Sequence, residues 1–333
     1  MSFDCSSLSH GATSEIRIMK TAFLFPGQGA QVVGMGAEIA RSFPSAAEIF
    51  KKANDIVGFD LREICFEGPA EQLSSTTLSQ PSIFTTSAAI LEVLRTEPTT
   101  KGISADVTAG LSMGEYTALY AAGVISFEDG LRLVQKRGQA MQAAADANEG
   151  AMVSIIGLDE ETTRSLCQQA SDGDILEPVN FNCPGQIVIS GDKEACRRIT
   201  ELAIKAGAIK AIPLEVAGAF HTSMMSDAAE ALGTALAGSE ITEPSQTQII
   251  ANIDAEYYQT SEKIKEGLVK QLTCTILWQK CMERLLADGV EKFYEIGPGR
   301  VLTGLMRRIN RKTKVINISN LKAITELIEQ VNI

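Results

Sequence analysis

A serine stands between two glycines in Gly110-Leu111-Ser112-Met113-Gly114, after the strand-like run Asp106-Val107-Thr108-Ala109 and before a helix-like run from Glu115 to Ala122 closed by Gly123. This arrangement matches a nucleophile elbow, a sharp strand-to-helix turn that exposes a serine Oγ and needs glycine where backbone approaches closely. Ser112 is thereby nominated as a covalent catalyst. At a helix N-terminus, free backbone N–H groups and the positive end of the dipole can stabilise an oxyanion. The pentapeptide alone weighs little in a chain with 27 glycines, and a serine that only caps a helix is the competing reading.

A serine hydroxyl needs a base, usually histidine. Of the two histidines, His10 lies in a leader of mixed Ser, Gly and charged residues, whereas His221 ends Ala217-Gly218-Ala219-Phe220-His221 at the entrance to a helical run from Thr222 to Ala237. His221 is the candidate base, with a helix-capping histidine as its alternative. The order Ser then His is that of hydrolase-like sites rather than chymotrypsin-like ones.

Elements must hold these residues. Thr21 to Phe25 reads as a strand entering Pro26-Gly27-Gln28-Gly29-Ala30-Gln31, followed by a helix from Val32 to Ser42. Val32 occupies the third glycine position of a dinucleotide fingerprint, and no GK[ST] follows for a P-loop, so the glycines instead offer backbone N–H groups to an oxyanion hole. Ser126-Phe127-Glu128-Asp129 resembles a capping box opening a helix to about Ala145 that carries Arg137, with Asp146 to Gly150 as a linker. Strand Ala151 to Ile156, helix Glu160 to Gln169, strands Leu176 to Asn182 and Gln186 to Ser190, helix Lys193 to Ala206 and strand Ala211 to Val216 follow in βαββαβ order. Ile249 to Ile253, Lys292 to Ile296 and Val315 to Ile318 then read as buried strands, separated by helices around Trp278 to Leu286 and Val301 to Ile309. The expected fold is α/β: a flexible leader over 1–19, a hydrolase-like parallel-sheet large domain over 20–146 and 214–333, and an inserted ferredoxin-like small domain over 147–213.

At 333 residues, 45% hydrophobic and 21% charged, the chain has length for one large core and a smaller one. No apolar run approaches the ~18 residues that span a bilayer, and the leader lacks the apolar centre of a secretory signal, so a cytoplasmic protein without membrane contact is expected. The seven cysteines are scattered without a CxxC pair, which suits reduced thiols and indicates neither a disulfide frame nor a zinc site. A net charge of −11 argues against nucleic-acid binding. A basic cluster of Arg300, Arg307, Arg308, Arg311, Lys312 and Lys314 is either a docking patch for an anionic partner or a solvated helix face.

Six separated motifs converge on one family: Phe25-Pro26-Gly27-Gln28-Gly29-Ala30-Gln31, Gly110-Leu111-Ser112-Met113-Gly114-Glu115-Tyr116, Gln135-Lys136-Arg137-Gly138, Asn180-Phe181-Asn182, Gly218-Ala219-Phe220-His221 and Glu295-Ile296-Gly297-Pro298-Gly299. In their order and approximate spacing, from about Lys20 to the C-terminus, the chain resembles the malonyl-CoA:acyl carrier protein transacylases. The resemblance implies that Ser112 attacks the malonyl thioester, His221 takes and returns the proton, and Arg137, otherwise an exposed helix charge, binds the free carboxylate through two parallel hydrogen bonds. It implies an oxyanion hole from the N–H groups of Gln28 and Met113, where one donor is worth ~3 kcal/mol in the transition state. Asn182 and Gln80 are implied to line the site, and the main-chain carbonyl of Gln271, or else the side chain of Asn252, to orient His221 in place of a triad acid. Leu111 departs from the family's common histidine and removes a polar neighbour. Phe220 leaves little room for a methyl branch on the malonyl α-carbon, an exclusion worth about 1 to 3 kcal/mol. The implied partners are malonyl-CoA and acyl carrier protein, with a monomeric enzyme, no metal or redox cofactor, and a role in fatty acid synthesis. A serine thioesterase or esterase using the same pair is the alternative, and a carrier-binding scaffold with a degenerate site is a third.

Overall fold

A computed structural model describes residues 19–331, so Cys5, His10 and the expected leader, apart from Met19, lie outside the described residues. Its strands are β1 (Lys20–Phe25), β2 (Val107–Gly110), β3 (Gly150–Ile156), β4 (Leu176–Cys183), β5 (Gln186–Asp192), β6 (Lys210–Pro213), β7 (Gln248–Ile249), β8 (Val290–Ile296) and β9 (Val315–Ile318).

β1 reads KTAFLF and is buried from Ala22 onward, and β2 is buried throughout. Strands apolar on both faces belong in a parallel sheet covered by helices. Five such strands form one, in the order β7-β2-β1-β8-β9, with every pairing parallel. The two-residue period of β1 sorts its side chains between layers: Phe23 and Phe25 join the core made with helices Thr76–Thr96 and Phe127–Ala147, while Ala22 and Leu24 join the core made with helices Trp278–Ala287 and Val301–Ile309. Trp278 is fully buried there.

The other four strands form an antiparallel sheet in the order β4-β5-β3-β6, the ferredoxin-like arrangement of a βαββαβ unit. One face carries Val153, Ile155 and Ile189 against Cys167 and Ala170 of helix Glu160–Ser171 and Ile199 of helix Lys193–Lys205. The opposite face carries Met152, Ser154 and Val188, which look toward the larger sheet across a cavity. The small sheet is tied to the segment leading into helix Trp278–Ala287, where Phe181 N–H donates to Ile276 O (2.9 Å) and Ile276 N–H donates to Val179 O (2.7 Å). Arg308 also reaches from helix Val301–Ile309 to Gln186 Oε1 (2.9 Å), so this member of the basic cluster fastens the β4–β5 turn. Arg307, Arg311, Lys312 and Lys314 are exposed. Among the described residues no helix is long and apolar enough to cross a membrane.

Several expected boundaries move. The helix expected from Val32 begins only at Ala37, because Gly34 and Gly36 take positive φ angles of 94° and 80° and turn the chain first. The strand expected over Ile249–Ile253 stops at Ile249; Ile250 turns to an isolated bridge with Tyr257, and Asn252 is drawn to the serine turn. The helix carrying Arg137 runs to Ala147 and β3 starts at Gly150, which shortens the expected linker to Asn148 and Glu149. The last strand of the small sheet ends at Pro213, short of the expected Val216. The helix expected from Thr222 opens with a 3-10 turn over Ser223–Met225 before the α-helix Ser226–Ala237.

Candidate active site

Phe25 and Gly110 are register partners at the carboxyl ends of adjacent parallel strands. The loops leaving them share one crevice, where open α/β sheets place their ligands. In one loop the chain reverses over Leu111–Met113 with Ser112 at φ 52°, a left-handed conformation that costs a non-glycine residue of order 1–3 kcal/mol. Glycines make the turn possible: a Cβ at Gly110 would overlap the Gly114 carbonyl group, and one at Gly114 would overlap Phe25 O. Asn252 clamps the turn, its Oδ1 accepting from Ser112 N–H (2.7 Å) and its Nδ2 donating to Gly110 O (2.7 Å).

His221 also has a positive φ, 65°, and its Nε2 lies 3.0 Å from Ser112 Oγ. Its Nδ1 donates to Gln271 O at 2.7 Å. That carbonyl belongs to the last residue of helix Ser261–Gln271, where helix carbonyls lack intrahelical partners and the dipole is negative. With Nδ1 as donor, Nε2 presents its lone pair to the serine hydroxyl. Of the two residues expected to orient His221, the structure places Gln271 there and Asn252 on the serine turn. Thr222, rather than His221, caps the helical segment that follows, accepting from Met224 N–H.

Arg137 reaches the same point from helix Phe127–Ala147 and is 1% exposed. Its helix lies tight against helix Thr76–Thr96: a Cβ at Gly138 would come within 2.7 Å of Thr76 O. That approach brings Gln80 Oε1 to Arg137 Nη1 at 2.8 Å. Arg137 Nη2 donates to Ser112 Oγ (3.0 Å) and to Gln271 Oε1 (2.9 Å), while Nε has no hydrogen-bond partner. The ring of Tyr116 lies 5.8 Å from the guanidinium carbon. Gln80, expected to line the site, stands fully buried behind Arg137 and holds it instead.

A cavity of about 620 Å³ opens above these groups, bounded by both sheets; Gln28, Leu111, Ser112, Arg137, Asn182, Phe220 and His221 all line it. Neither Gln28 N–H nor Met113 N–H makes a hydrogen bond among the described residues. Asn182 Oδ1 is buried without a partner. No group of three or more His, Cys, Asp or Glu that could hold a metal occurs among the described residues.

Burial, then the Arg137 charge, lower His221 to about 4, against the Gln271 hydrogen bond. The imidazole is therefore neutral near pH 7, the state a general base needs. Burial likewise pushes Arg137 down from its ordinary value.

Glu115 went unrecognised in the sequence beyond its place in the serine motif. It is fully buried and accepts from Tyr258 Oη, Asn252 N–H and Gln271 Nε2. The available signal was its helix, Gly114–Ala121, which reads GEYTALYA without an apolar stripe and is buried on every side from Gly114 to Tyr120.

The family model described as "Acyl transferase domain" matches residues 22–330. The malonyl CoA-acyl carrier protein transacylase of Bacillus subtilis is 42% identical over 306 residues, covering 92% of this chain and 95% of the relative. That of Escherichia coli K12 is 43% identical over 288 residues, covering 86% and 92%. Among solved structures, a type II PKS acyl-carrier protein in complex with its malonyl-transacylase matches with a TM-score of 0.89 and 40% identity, covering 93% of this chain and 99% of that one. The malonyl CoA-acyl carrier protein transacylase of Coxiella burnetii matches with a TM-score of 0.90 and 35% identity, covering 96% and 99%. On this identity and coverage, the chain belongs to the acyl transferase family and, within it, to the malonyl CoA-acyl carrier protein transacylases.

Proposed function

We propose that the chain transfers a malonyl group from CoA to the phosphopantetheine thiol of an acyl carrier protein through a malonyl-Ser112 ester, supplying fatty acid synthesis. The observation that carries this reading is Arg137, buried with Nη2 only 3.0 Å from the nucleophile's Oγ. A guanidinium so close to the attacking atom suits an acyl group whose carboxylate stands two bonds from the reacting carbonyl, as in malonate.

Binding exchanges the Arg137–Ser112 hydrogen bond for one to the malonyl carboxylate and frees Oγ. The carboxylate also offsets the charge that weakens His221, so the base strengthens when the matching substrate is in place. Ser112 Oγ then bonds to the thioester carbonyl carbon as its proton passes to His221 Nε2. Gln28 and Met113 N–H groups face the resulting oxyanion. Cleavage of the C–S bond releases CoA, whose sulfur takes the proton from His221. In the second half the carrier thiol gives its proton to Nε2, its sulfur attacks the acyl carbon, and cleavage of the C–Oγ bond returns that proton to Ser112.

Asn182 lines the acyl and pantetheine space, Leu111 leaves its floor apolar, and Phe220 restricts branching at the α-carbon. Each step balances on Ser112 and His221 without a metal or redox group. The free thiols at Cys65, Cys167, Cys183, Cys196, Cys274 and Cys281 fit a reducing compartment, and we place the enzyme in the cytoplasm.

Brief incubation with malonyl-CoA followed by peptide mass spectrometry tests the cycle. A single malonyl adduct on the Ser112 peptide, lost in Ser112→Ala and discharged by acyl carrier protein, is expected. No adduct, or one cleared by water as fast as by the carrier, would overturn transfer in favour of a scaffold or a thioesterase.

A further inference from the structure

The transfer cycle leaves one buried charge of the site unused. Glu115 Oε1 accepts from Tyr258 Oη (2.5 Å), and Oε2 accepts from Asn252 N–H (3.2 Å) and from Gln271 Nε2 (2.8 Å). The Asn252 N–H and Gln271 Nε2 can only donate and the Tyr258 hydroxyl donates here, so the surroundings favour a carboxylate over a carboxylic acid. The other end of the same amide, Gln271 Oε1, accepts from Arg137 Nη2 at 2.9 Å. One carboxamide therefore joins a buried anion to a buried cation.

Gln271 is thereby fixed in orientation. Turned over, its Oε1 would face the Glu115 carboxylate and its Nε2 would face the guanidinium, and both contacts would be repulsive. In the observed orientation Nε2 also donates to Ser112 O (3.1 Å), while the main-chain carbonyl holds His221 Nδ1. A carboxylate placed directly on Arg137 would occupy the donors that a substrate carboxylate needs. The bridged arrangement supplies a countercharge without doing so.

We propose that Glu115 is a positioning residue for carboxylate recognition: it is the counter-anion of Arg137 across the Gln271 carboxamide, and it holds Gln271, and with it the guanidinium and imidazole, in register for a malonyl group. The proposal rests on the malonyl-transfer reading above. Burial pushes Glu115 up to about 7, against the pull of Tyr258, Gln271, the Asn252 N–H and Arg137. The titratable groups that face it are Arg137, Tyr116, Tyr258 and Cys281, with Asp254 beyond Tyr258. As pH falls through this range, protonation puts a hydrogen among three donors, Gln271 loses its preferred orientation, and the KM for malonyl-CoA rises.

Steady-state kinetics with malonyl-CoA and acetyl-CoA on both sides of pH 7 test this in the parent, Glu115→Gln and Tyr258→Phe. Glu115→Gln, checked for folding by near-UV circular dichroism, should raise the malonyl-CoA KM roughly ten- to hundredfold with a smaller change in kcat. It should change the acetyl-CoA KM far less than the malonyl-CoA KM and erase the inflection near neutrality. A folded Glu115→Gln protein with parental malonyl KM, selectivity and pH profile overturns the proposal. Should that variant not fold, Tyr258→Phe decides: loss of its donor must move the inflection to higher pH, and an unmoved inflection overturns the proposal. A parent that takes no malonyl group overturns the transfer reading and this inference together, whereas a malonyl-accepting parent matched by Glu115→Gln overturns only the role of Glu115.

Discussion

The apolar interior beneath the small sheet and the buried site at the carboxyl ends of the parallel sheet are built on opposite rules. Beneath the small sheet, Val153, Ile155, Ile189 and Ile199 pack with Cys167 and Cys196, two thiols that burial pushes up to about 12 and so renders inert. Its charges stay outside, in ion pairs such as Arg164–Glu160 (2.8 Å) and Arg197–Glu194 (2.9 Å). Beside the parallel sheet, Glu115, Arg137 and His221 are enclosed within one hydrogen-bonded network. Enclosing charge costs several kcal/mol per ion even after relaxation, so stability alone does not explain that network. The apolar interior is what a chain adopts when only folding is at stake, and the polar one marks where electrostatic work is done.

Removing the cation should separate these roles most clearly. Arg137→Ala is expected to lower malonyl transfer about a hundredfold or more while costing acetyl transfer far less, because only malonate presents a carboxylate to the guanidinium. Equal losses with both substrates would remove Arg137 from carboxylate recognition. The same change also tests the electrostatics. His221 sits near 4 partly because of the Arg137 charge, so it is neutral above that value and protonated below it. Loss of the cation should move the acidic limb of kcat/KM for acetyl-CoA upward, toward the ordinary histidine range. An unmoved limb would mean that the two groups are not coupled.

In the small sheet the corresponding cut is Ile199→Ala, which empties space in the apolar core on the face away from the cavity. Urea denaturation should show a loss of about 2–5 kcal/mol, from lost transfer energy and the hole left behind. The rate of Ser112 acylation per folded molecule and the acidic limb should stay at parental values. A shifted limb would show that the two interiors communicate and that the contrast between them is too sharp.

Legibility followed the same division. The elbow could be read because Gly110 and Gly114 answer a local steric demand, and the small sheet because its apolar pattern and element lengths fit one unit. Gln271 could not be read from composition or spacing: its contact with His221 is a backbone carbonyl, which any residue could supply, and only the family resemblance pointed to it. Glu115 was hidden for a different reason. An acidic residue in the first turn of a helix is common where it complements the dipole at the surface, and only the packing of the whole fold buries this one. The turn over Val32–Gly36 was missed because a helix-like sequence gave way to two glycines at positive φ, of which Gly34 stands in open space and only Gly36 is packed closely. Gly36 meets Phe50, a neighbour supplied by a later helix.

The smallest expected effect concerns charge at the rim of the small sheet. Arg197 Nε lies 2.9 Å from Glu194 Oε2 and its Nη1 lies 3.0 Å from Glu201 Oε1, which on geometry alone looks like a fastening of helix Lys193–Lys205. All three side chains are about 60% exposed or more. Water and salt therefore screen the attraction, and ordering three long side chains offsets much of what remains. Arg197→Ala should leave the midpoint of thermal unfolding within error of the parent, and added salt should not separate the two proteins. A clear loss that salt abolishes would show that these surface charges do stabilise the small sheet. The division between an interior held by packing and a site that buries charge at a cost to stability would then have to be redrawn to include its rim.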